Sequence, residues 1–339
     1  MELKGLVKEL AALNGTSGDE SAVRENIISR LPEDVSYKVD NLGNLIVEKM
    51  GNSTPDKKLM IAAHMDEVGF MVTHIEDSGE LCFSAVGGVL PAVVFGRQLV
   101  FKNGVHGAVA SKPLHLLKDD ESGEQPKLSS LRIDIGAENK EEAEKLVSVG
   151  DCAYFTGEQR DFGDGFMSGK ALDDRVGCGI MLRLINSELP YDCTFVFTVQ
   201  EEIGTRGARA AAYSVNPDMA IVIETTTACD ISGTEGEKRV CELGKGPVVS
   251  YMDKGTIYDK ELYRLGFETA KNIGIPCQTK SVVAGGNDSG AIHTSVGGVR
   301  TMAISVPCRY LHSPHCVIKE TDLADTEKLV RAVIDSIMQ

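Results

Sequence analysis

The 339-residue chain has no tryptophan, only 5% aromatic residues, no CxxC motif and no apolar run of the roughly eighteen residues that indicate a membrane span. The N-terminal segment MELKGLVKELAALNG interrupts its leucines with lysine and glutamate, which argues against a secretory signal peptide. The nine cysteines are scattered and odd in number. This pattern favours reduced thiols in a cytoplasmic protein over a disulfide framework.

Basic residues are also in short supply. The chain has 35 Lys and Arg against 50 Asp and Glu, so its formal net charge is −15. A strongly acidic protein is repelled by nucleic-acid phosphates and by anionic lipids, so neither is expected as a partner. The hydrophobic fraction of 42% and the charged fraction of 25% are ordinary for globular proteins and argue against disorder.

The apolar pattern predicts an α/β fold. Leucines and a valine between residues 3 and 13 have helical spacing, and the segments 259–274 and 321–339 are amphipathic, with Thr321 as a predicted helix cap. Continuous apolar strands are predicted at KLMIAA, CTFVFTV, MAIVIE and RTMAISVP. Buried strands that alternate with helices predict a mostly parallel sheet flanked by helices on both faces.

The middle of the chain has a different texture. Between residues 68 and 162, short β-like segments alternate with glycine and proline, and one helix is predicted at 139–147. We therefore predict a small β-rich domain at 68–162, inserted into a discontinuous catalytic α/β domain formed by 1–67 and 163–339. An acidic stretch at 118–127 is expected to be an exposed loop.

Polar residues follow the apolar strands or begin a helix. Ligands of open α/β sheets bind beyond the carboxyl ends of the strands, so these side chains are predicted to converge at one edge of the sheet. The set consists of His64, Asp66, Asp173, Asp174, Glu201, Glu202, Glu224 and His312.

Each of these residues has an ordinary explanation when taken alone. A loop histidine or a Glu-Glu pair is usually solvated, and an Asp-Asp pair before a helix is usually a cap. However, Glu201 and Glu202 end a strongly apolar run, where solvation on both sides is less natural. On an extended segment, His64 and Asp66 point the same way, so the carboxylate can orient the imidazole.

The residue types indicate a hydrolytic metal site. Histidines and carboxylates without a cysteine ligand suit Zn²⁺, Co²⁺ or Mn²⁺. Two histidines and three carboxylates are too many for one catalytic zinc with open positions. They fit two metal ions that share a bridging carboxylate, with a further acid as proton shuttle.

Four motifs occur in an order that resembles the tetrahedral aminopeptidase family of dinuclear metallopeptidases. This family includes glutamyl and deblocking aminopeptidases and proteins labelled cellulase M. The motifs are AAHMDEVGFMV, GKALDDRVG, VQEEIGTRGA and VPCRYLHSP. KPLHLL, RIDIGA and GGNDSGAIH are similar to further family segments, so the resemblance extends over nearly the whole chain.

The resemblance implies a role for each candidate residue. One metal ion would be held by His64, Asp173 and Glu224, and the other by Asp173, Glu202 and His312, with Asp173 as the bridge. Glu201 would be the general base that takes a proton from the metal-bound water, and Asp66 would orient His64. The Asp173–Asp174 peptide bond would be cis, and the two ions would be Zn²⁺ or Co²⁺. Many relatives carry aspartate at position 224, so the longer Glu224 could change the metal preference, and Asp230 is the fallback ligand.

The implied activity is the release of N-terminal residues from peptides. The resemblance also implies that the inserted domain pairs subunits and that dimers assemble into a hollow dodecamer. An amidase or deacylase acting on N-acyl amino acids uses the same chemistry and stays an alternative. A glycoside hydrolase is disfavoured because adjacent glutamates on a strand point apart and no tryptophan is present to stack on sugars. A binding protein without activity is disfavoured because Glu201 is present.

Overall fold

The computed structural model describes residues 2–110 and 127–338. The KPLHLL segment and nearly all of the predicted acidic loop lie outside these ranges. The helices are α1 Leu3–Ala12, α2 Ser21–Ile28, α3 Pro91–Val94, α4 Lys140–Leu146, α5 Leu172–Ile185, α6 Arg206–Val215, α7 Lys260–Asn272, α8 Ser289–Ile292 and α9 Glu320–Ser336.

The strands fall into three sheets that are described below. They are β1 Ser36–Val39, β2 Leu45–Lys49, β3 Leu59–His64, β4 Gly69–Ile75, β5 Leu81–Val86, β6 Gln98–Phe101, β7 His106–Ala110, β8 Arg132–Asp134, β9 Cys152–Phe155, β10 Arg160–Phe162, β11 Phe166–Gly169, β12 Cys193–Thr198, β13 Met219–Thr227, β14 Val248–Val249, β15 Gln278–Thr279, β16 Arg300–Cys308 and β17 Cys316–Lys319.

The largest sheet has eight strands in the order β1-β2-β12-β3-β13-β16-β14-β15. Its four central strands, β12, β3, β13 and β16, are parallel, whereas β2 and β14 join them in antiparallel fashion. The predicted α/β fold with a parallel core is therefore confirmed. The carboxyl ends of the four parallel strands meet at the same edge of the sheet, which is where the candidate residues lie.

Helices cover both faces of this sheet, as the continuous apolar strands predict. Strand β3 shows why, because successive side chains of a strand point to opposite faces. Its residues Leu59, Ile61 and Ala63 belong to a core shared with helices α1, α5 and α9, whereas Met60 and Ala62 pack in a second core with α6 and α8. Burial on both faces holds the strand ends, and hence the site, in one position.

The inserted β-rich segment is a closed barrel of six strands in the order β4-β5-β8-β7-β6-β9. It has its own apolar core, in which the ring of Phe70 meets those of Phe83 and Phe155 edge to face at centroid distances of 5.3 and 5.0 Å. Strand β10 lies inside the predicted range 68–162 but pairs with β11, which in turn pairs with β17. We therefore propose that the chain returns to the α/β domain soon after β9, near residue 156.

The starts of helices α9 and α7 differ in how they are capped. Helix α9 begins at Glu320 and has no side-chain cap, so the prediction of Thr321 as its cap is wrong. Helix α7 is capped by Asp259, whose carboxylate accepts hydrogen bonds from the N–H groups of Glu261 and Leu262. In the described part of the chain, no helix is long and apolar enough to cross a membrane.

Candidate metal centre and catalytic site

The predicted residues reach the site from the ends of different elements. His64 is the last residue of β3, and Glu224 lies within β13 beside it in the sheet. Asp173 is in the first turn of α5, where the Asp173–Asp174 peptide bond is cis, as the resemblance implies. Glu202 and His312 each lie four residues beyond the ends of β12 and β16. The parallel sheet thus collects residues from five separate parts of the sequence.

Asp173 lies between two pairs of side chains, each consisting of one histidine and one glutamate. Its Oδ1 atom is 3.4 Å from Nε2 of His64, which is also 3.7 Å from Oε2 of Glu224. Its Oδ2 atom is 3.5 Å from Nε2 of His312, which is also 3.3 Å from Oε2 of Glu202. Each oxygen of one carboxylate therefore faces a different histidine.

Backbone carbonyls orient both histidine rings. Nδ1 of His64 is 3.0 Å from the carbonyl oxygen of Asp66, and Nδ1 of His312 is 2.7 Å from that of Gly88. A carbonyl oxygen can only accept, so Nδ1 of each ring carries a hydrogen, and Nε2 is the atom that each ring directs at the carboxylates. This arrangement suits a metal site, because a metal-bound histidine binds the ion through one ring nitrogen and donates the hydrogen of the other to a group such as a backbone carbonyl.

The Asp66 carboxylate makes shorter contacts than the predicted contact with His64. It lies 3.5 Å from Nδ1 of His64, consistent with an orienting role. Its oxygens also accept hydrogen bonds from the N–H groups of Glu201 at 3.0 Å and Glu202 at 3.1 Å, and from the Ser17 hydroxyl at 2.6 Å. The fully buried Asp66 therefore holds the backbone of the loop that carries both glutamates.

The electrostatics of the site fit a bound cation. Burial raises the pKa of the Glu201 and Glu224 carboxyls well above their usual range and raises the pKa of Glu202 to about 8. Burial acts to lower the pKa of His312, but contacts with Asp173 and Glu202 outweigh it and raise the pKa to about 10. So many buried carboxylates are costly unless positive charge is nearby, and divalent ions supply that charge.

Buried carboxylate oxygens without a hydrogen-bond partner also indicate that the site fits a bound cation. Among the described side chains, Oε1 of Glu224 and Oδ2 of Asp174 are buried and have no hydrogen-bond partner. Buried polar atoms are normally paired, so the free oxygen of Glu224, which belongs to the implied ligand set, is suited to accept a metal ion. The donor set of imidazole nitrogen and carboxylate oxygen fits Zn²⁺ and Co²⁺.

Among the described residues, ligand atoms within 4.8 Å of one another form two candidate triads, His64 with Asp174 and Glu224, and His64 with Asp173 and Glu202. Both differ from the implied ligand sets. The first contains Asp174 in place of Asp173, and the second contains His64 in place of His312. One oxygen of Asp174 already accepts the N–H of Gly177 at 3.0 Å, whereas both oxygens of Asp173 face a histidine. We therefore retain Asp173 as the proposed bridge and regard Asp174 as a buried neighbour.

Two other aspartates, Asp230 and Asp288, have hydrogen-bond partners of their own. The fallback ligand Asp230 receives two hydrogen bonds from the Arg309 guanidinium, at 2.7 and 2.8 Å, so its carboxylate is already paired. Asp288 lies in the glycine-rich segment, is fully buried, and accepts a hydrogen bond from Thr198 at 2.5 Å, at the end of β12. The sequence analysis did not single out Asp288, and its only sequence signal was its place in that segment.

Comparison with known proteins identifies the class. Residues 43–329 match the family described as M42 glutamyl aminopeptidase, and the chain belongs to this family. It is accordingly an aminopeptidase, a hydrolase that acts on peptide bonds. A putative aminopeptidase of Acetivibrio thermocellus is 42% identical, with 98% of this chain and 97% of the relative covered.

Two solved structures of relatives share the complete fold. The TET1 peptidase of Pyrococcus horikoshii is 34% identical with a TM-score of 0.86, covers 98% of this chain and 99% of its own, and is described as assembling into a tetrahedron or a large octahedral shell. A Thermotoga maritima protein described as an endoglucanase is 36% identical with a TM-score of 0.80, with the same coverage of each chain. The α/β fold and the barrel of this chain are therefore shared with these two relatives.

Proposed function

We propose that the protein is an aminopeptidase that uses two divalent metal ions. The observation that carries this proposal is the Asp173 carboxylate, whose two oxygens lie 3.4 and 3.5 Å from the Nε2 atoms of His64 and His312. His64, Asp173 and Glu224 would hold one ion, and Asp173, Glu202 and His312 the other. Zn²⁺ and Co²⁺ suit this donor set. When bound, the ions would polarise the scissile carbonyl and make a water molecule more acidic.

Glu201 is the proposed general base. Its carboxyl is not needed in either proposed ligand set, so it can take a proton from the attacking water and then donate it to the leaving amine. Asp66 holds the N–H of Glu201 at 3.0 Å and so keeps the base beside the cluster.

The proposed site suits substrates with a free amino terminus. The cluster combines the carboxyl groups of Asp173, Glu201, Glu202 and Glu224 with two histidines. A free substrate amine could bind one of the ions or meet a carboxylate, whereas the nitrogen of an N-acyl group is an amide that can do neither. This argument supports an aminopeptidase over a deacylase. It also disfavours a glycoside hydrolase, because the acids form one cluster with the histidines and no tryptophan is available for sugar stacking.

Activity is expected to require about two ions per chain. Chelated protein would be titrated with Zn²⁺ or Co²⁺ and assayed on a panel of aminoacyl-p-nitroanilides, with N-acetylated versions of the same compounds as matched controls. We expect hydrolysis to rise until two ions are bound and to be confined to substrates with a free amine. Full activity at a stable ratio of one ion per chain would refute the dinuclear proposal, and release of acetate from the N-acetylated compounds would favour the deacylase.

We further propose that the chain forms a dodecamer built from dimers that pair through the barrel domain. The assembly of the Pyrococcus horikoshii relative supports this proposal. The barrel also exposes large apolar side chains, including Leu90 at 70%, Val149 at 60% and Phe95 at 51%. Such side chains are suited to contacts between copies in a symmetric assembly. An enclosed assembly would admit unfolded peptides and exclude folded proteins.

Light scattering should give a mass near twelve times the 36.4 kDa chain for the metal-loaded protein. The chelated sample is expected to shift towards dimers, because metal ligands such as His312 are held by the barrel residue Gly88. A metal-loaded monomer at micromolar concentration would contradict the assembly proposal. An unchanged mass after chelation would contradict only its link to metal.

We also propose a cytoplasmic location. All nine cysteines are unpaired in the structure, and burial raises the pKa of several of their thiols, including Cys178 and Cys193. Unpaired cysteines are typical of a reducing compartment.

A further inference from the structure

The loop that carries Glu201 and Glu202 is held by side chains from the N-terminal part of the chain. It follows β12 and turns at Gln200, whose φ of 57° is in a region that residues other than glycine rarely adopt. Four successive N–H groups each donate to a side-chain oxygen: Val199 to Asn44 at 3.0 Å, Gln200 to Glu20 at 3.1 Å, Glu201 to Asp66 Oδ1 at 3.0 Å and Glu202 to Asp66 Oδ2 at 3.1 Å.

The three acceptors are themselves fixed. Glu20 is 4% exposed, and Asn44 and Asp66 are fully buried. The same Oε1 atom of Glu20 that accepts from Gln200 also accepts the N–H of Gly18 at 2.8 Å. Since the acceptors cannot move freely, the hydrogen bonds define where the loop backbone lies.

The segment around Glu20 is also tied to the barrel domain. Its neighbour Asp19 accepts hydrogen bonds from the Lys102 ammonium at 2.6 Å and from the Tyr154 hydroxyl. Two residues earlier, the Ser17 hydroxyl donates to Asp66 at 2.6 Å. The segment 17–20 therefore contacts the barrel on one side and the loop of the two glutamates on the other.

We propose that Glu20 is a positioning residue for the reaction. It acts through the backbone of Gln200 and sets the place of the next residue, Glu201, so the inference rests on the proposed role of Glu201 as the base. Without the Glu20 acceptor, the Gln200 N–H would lose its partner and the left-handed turn would relax. A small displacement of a base from the attacking water lowers the turnover rate strongly, while substrate binding is affected little.

The test compares Glu20→Met with Glu20→Gln. The methionine removes the acceptor at similar length, whereas the glutamine keeps an Oε1 atom that can accept both N–H groups. We expect Glu20→Met to lower kcat by about 10–100-fold, which is the loss of activity found when a residue that orients the ligands of a metal site is mutated. KM should stay within a few-fold of the wild-type value. Glu20→Gln should restore most of kcat. Glu25→Met, on the exposed side of α2, is the matched control and should behave as the wild type.

Two measurements other than activity complete the experiment. Hydrogen exchange should show faster exchange of the Gln200 amide in Glu20→Met but not in Glu20→Gln. Calorimetric titration of the chelated proteins with Zn²⁺ should show whether the ligands are still in place. If Glu20→Met fails to fold, Glu20→Asp keeps the charge, shortens the side chain by one methylene, and should show the same loss of kcat.

The outcomes separate this inference from the proposed function. Native kcat in Glu20→Met together with faster exchange at Gln200 would overturn the positioning role. Equal losses in Glu20→Met and Glu20→Gln would also overturn it, because charge rather than the hydrogen bond would then be responsible. A Glu201→Gln variant assayed beside them distinguishes the two ideas: if it stays active, the base assignment itself fails.

Discussion

Glu201→Gln is expected to lower kcat by about 10²–10⁴-fold while the protein keeps its fold and its metal ions. The substitution preserves the size of the side chain and removes only its ability to take a proton. Glu201 belongs to neither proposed ligand set, so metal affinity should change little. Steady-state kinetics on the best aminoacyl-p-nitroanilide, combined with metal analysis of the same sample, measures both quantities.

The neighbouring residue, Glu202, supplies the control. Oε2 of Glu202 lies 3.3 Å from Nε2 of His312, so Glu202→Gln should weaken metal binding, and its activity should recover partly when more metal is supplied. Activity of Glu201→Gln should not respond to added metal. If Glu201→Gln keeps near-native kcat, the base lies elsewhere, and the buried Asp288 would be the next residue to test.

Asp173→Ala is expected to have the largest effect on metal binding. Both proposed ions depend on this one carboxylate, whose oxygens face His64 and His312 separately. Its removal also leaves those histidines beside fewer negative charges, which further weakens both sites. We expect the affinity for each ion to fall by more than the roughly 10–100-fold that follows loss of an outer supporting residue, and activity to be lost with it.

The comparison with single-site variants makes this prediction specific. Glu224→Gln should affect one ion and leave the other, whereas Asp173→Ala should affect both. Asp164→Ala, at an exposed aspartate shortly before α5, should still bind two ions and serves as the matched control. Calorimetric titration with Zn²⁺ measures the number and affinity of ions. Loss of a single ion in Asp173→Ala would refute the shared bridge.

Much of the fold could be predicted because its signals are local. The apolar strands predicted the sheet, the helical spacing predicted the helices, and the glycine-rich pattern predicted the inserted β-rich domain. Each of these signals depends only on neighbouring residues, and the sheet, the helices and the barrel are all present. The prediction that Thr321 caps the last helix was wrong because cap geometry depends on the backbone at the helix start, and the N-cap position of helix α9 is Lys319, two residues before Thr321. The pairing of β10 with β11 likewise depends on how the chain returns from the barrel.

The sequence by itself determined which residues could form the site, because polar side chains at the ends of parallel strands must meet at one edge of the sheet. Only the tertiary structure decided how they are held. The Gly88 carbonyl that orients His312 comes from the barrel domain, and the Glu20 carboxylate that holds Gln200 comes from 180 residues earlier in the chain. Such hydrogen bonds join distant segments through backbone groups that every residue has, so no local pattern of side chains could have predicted them.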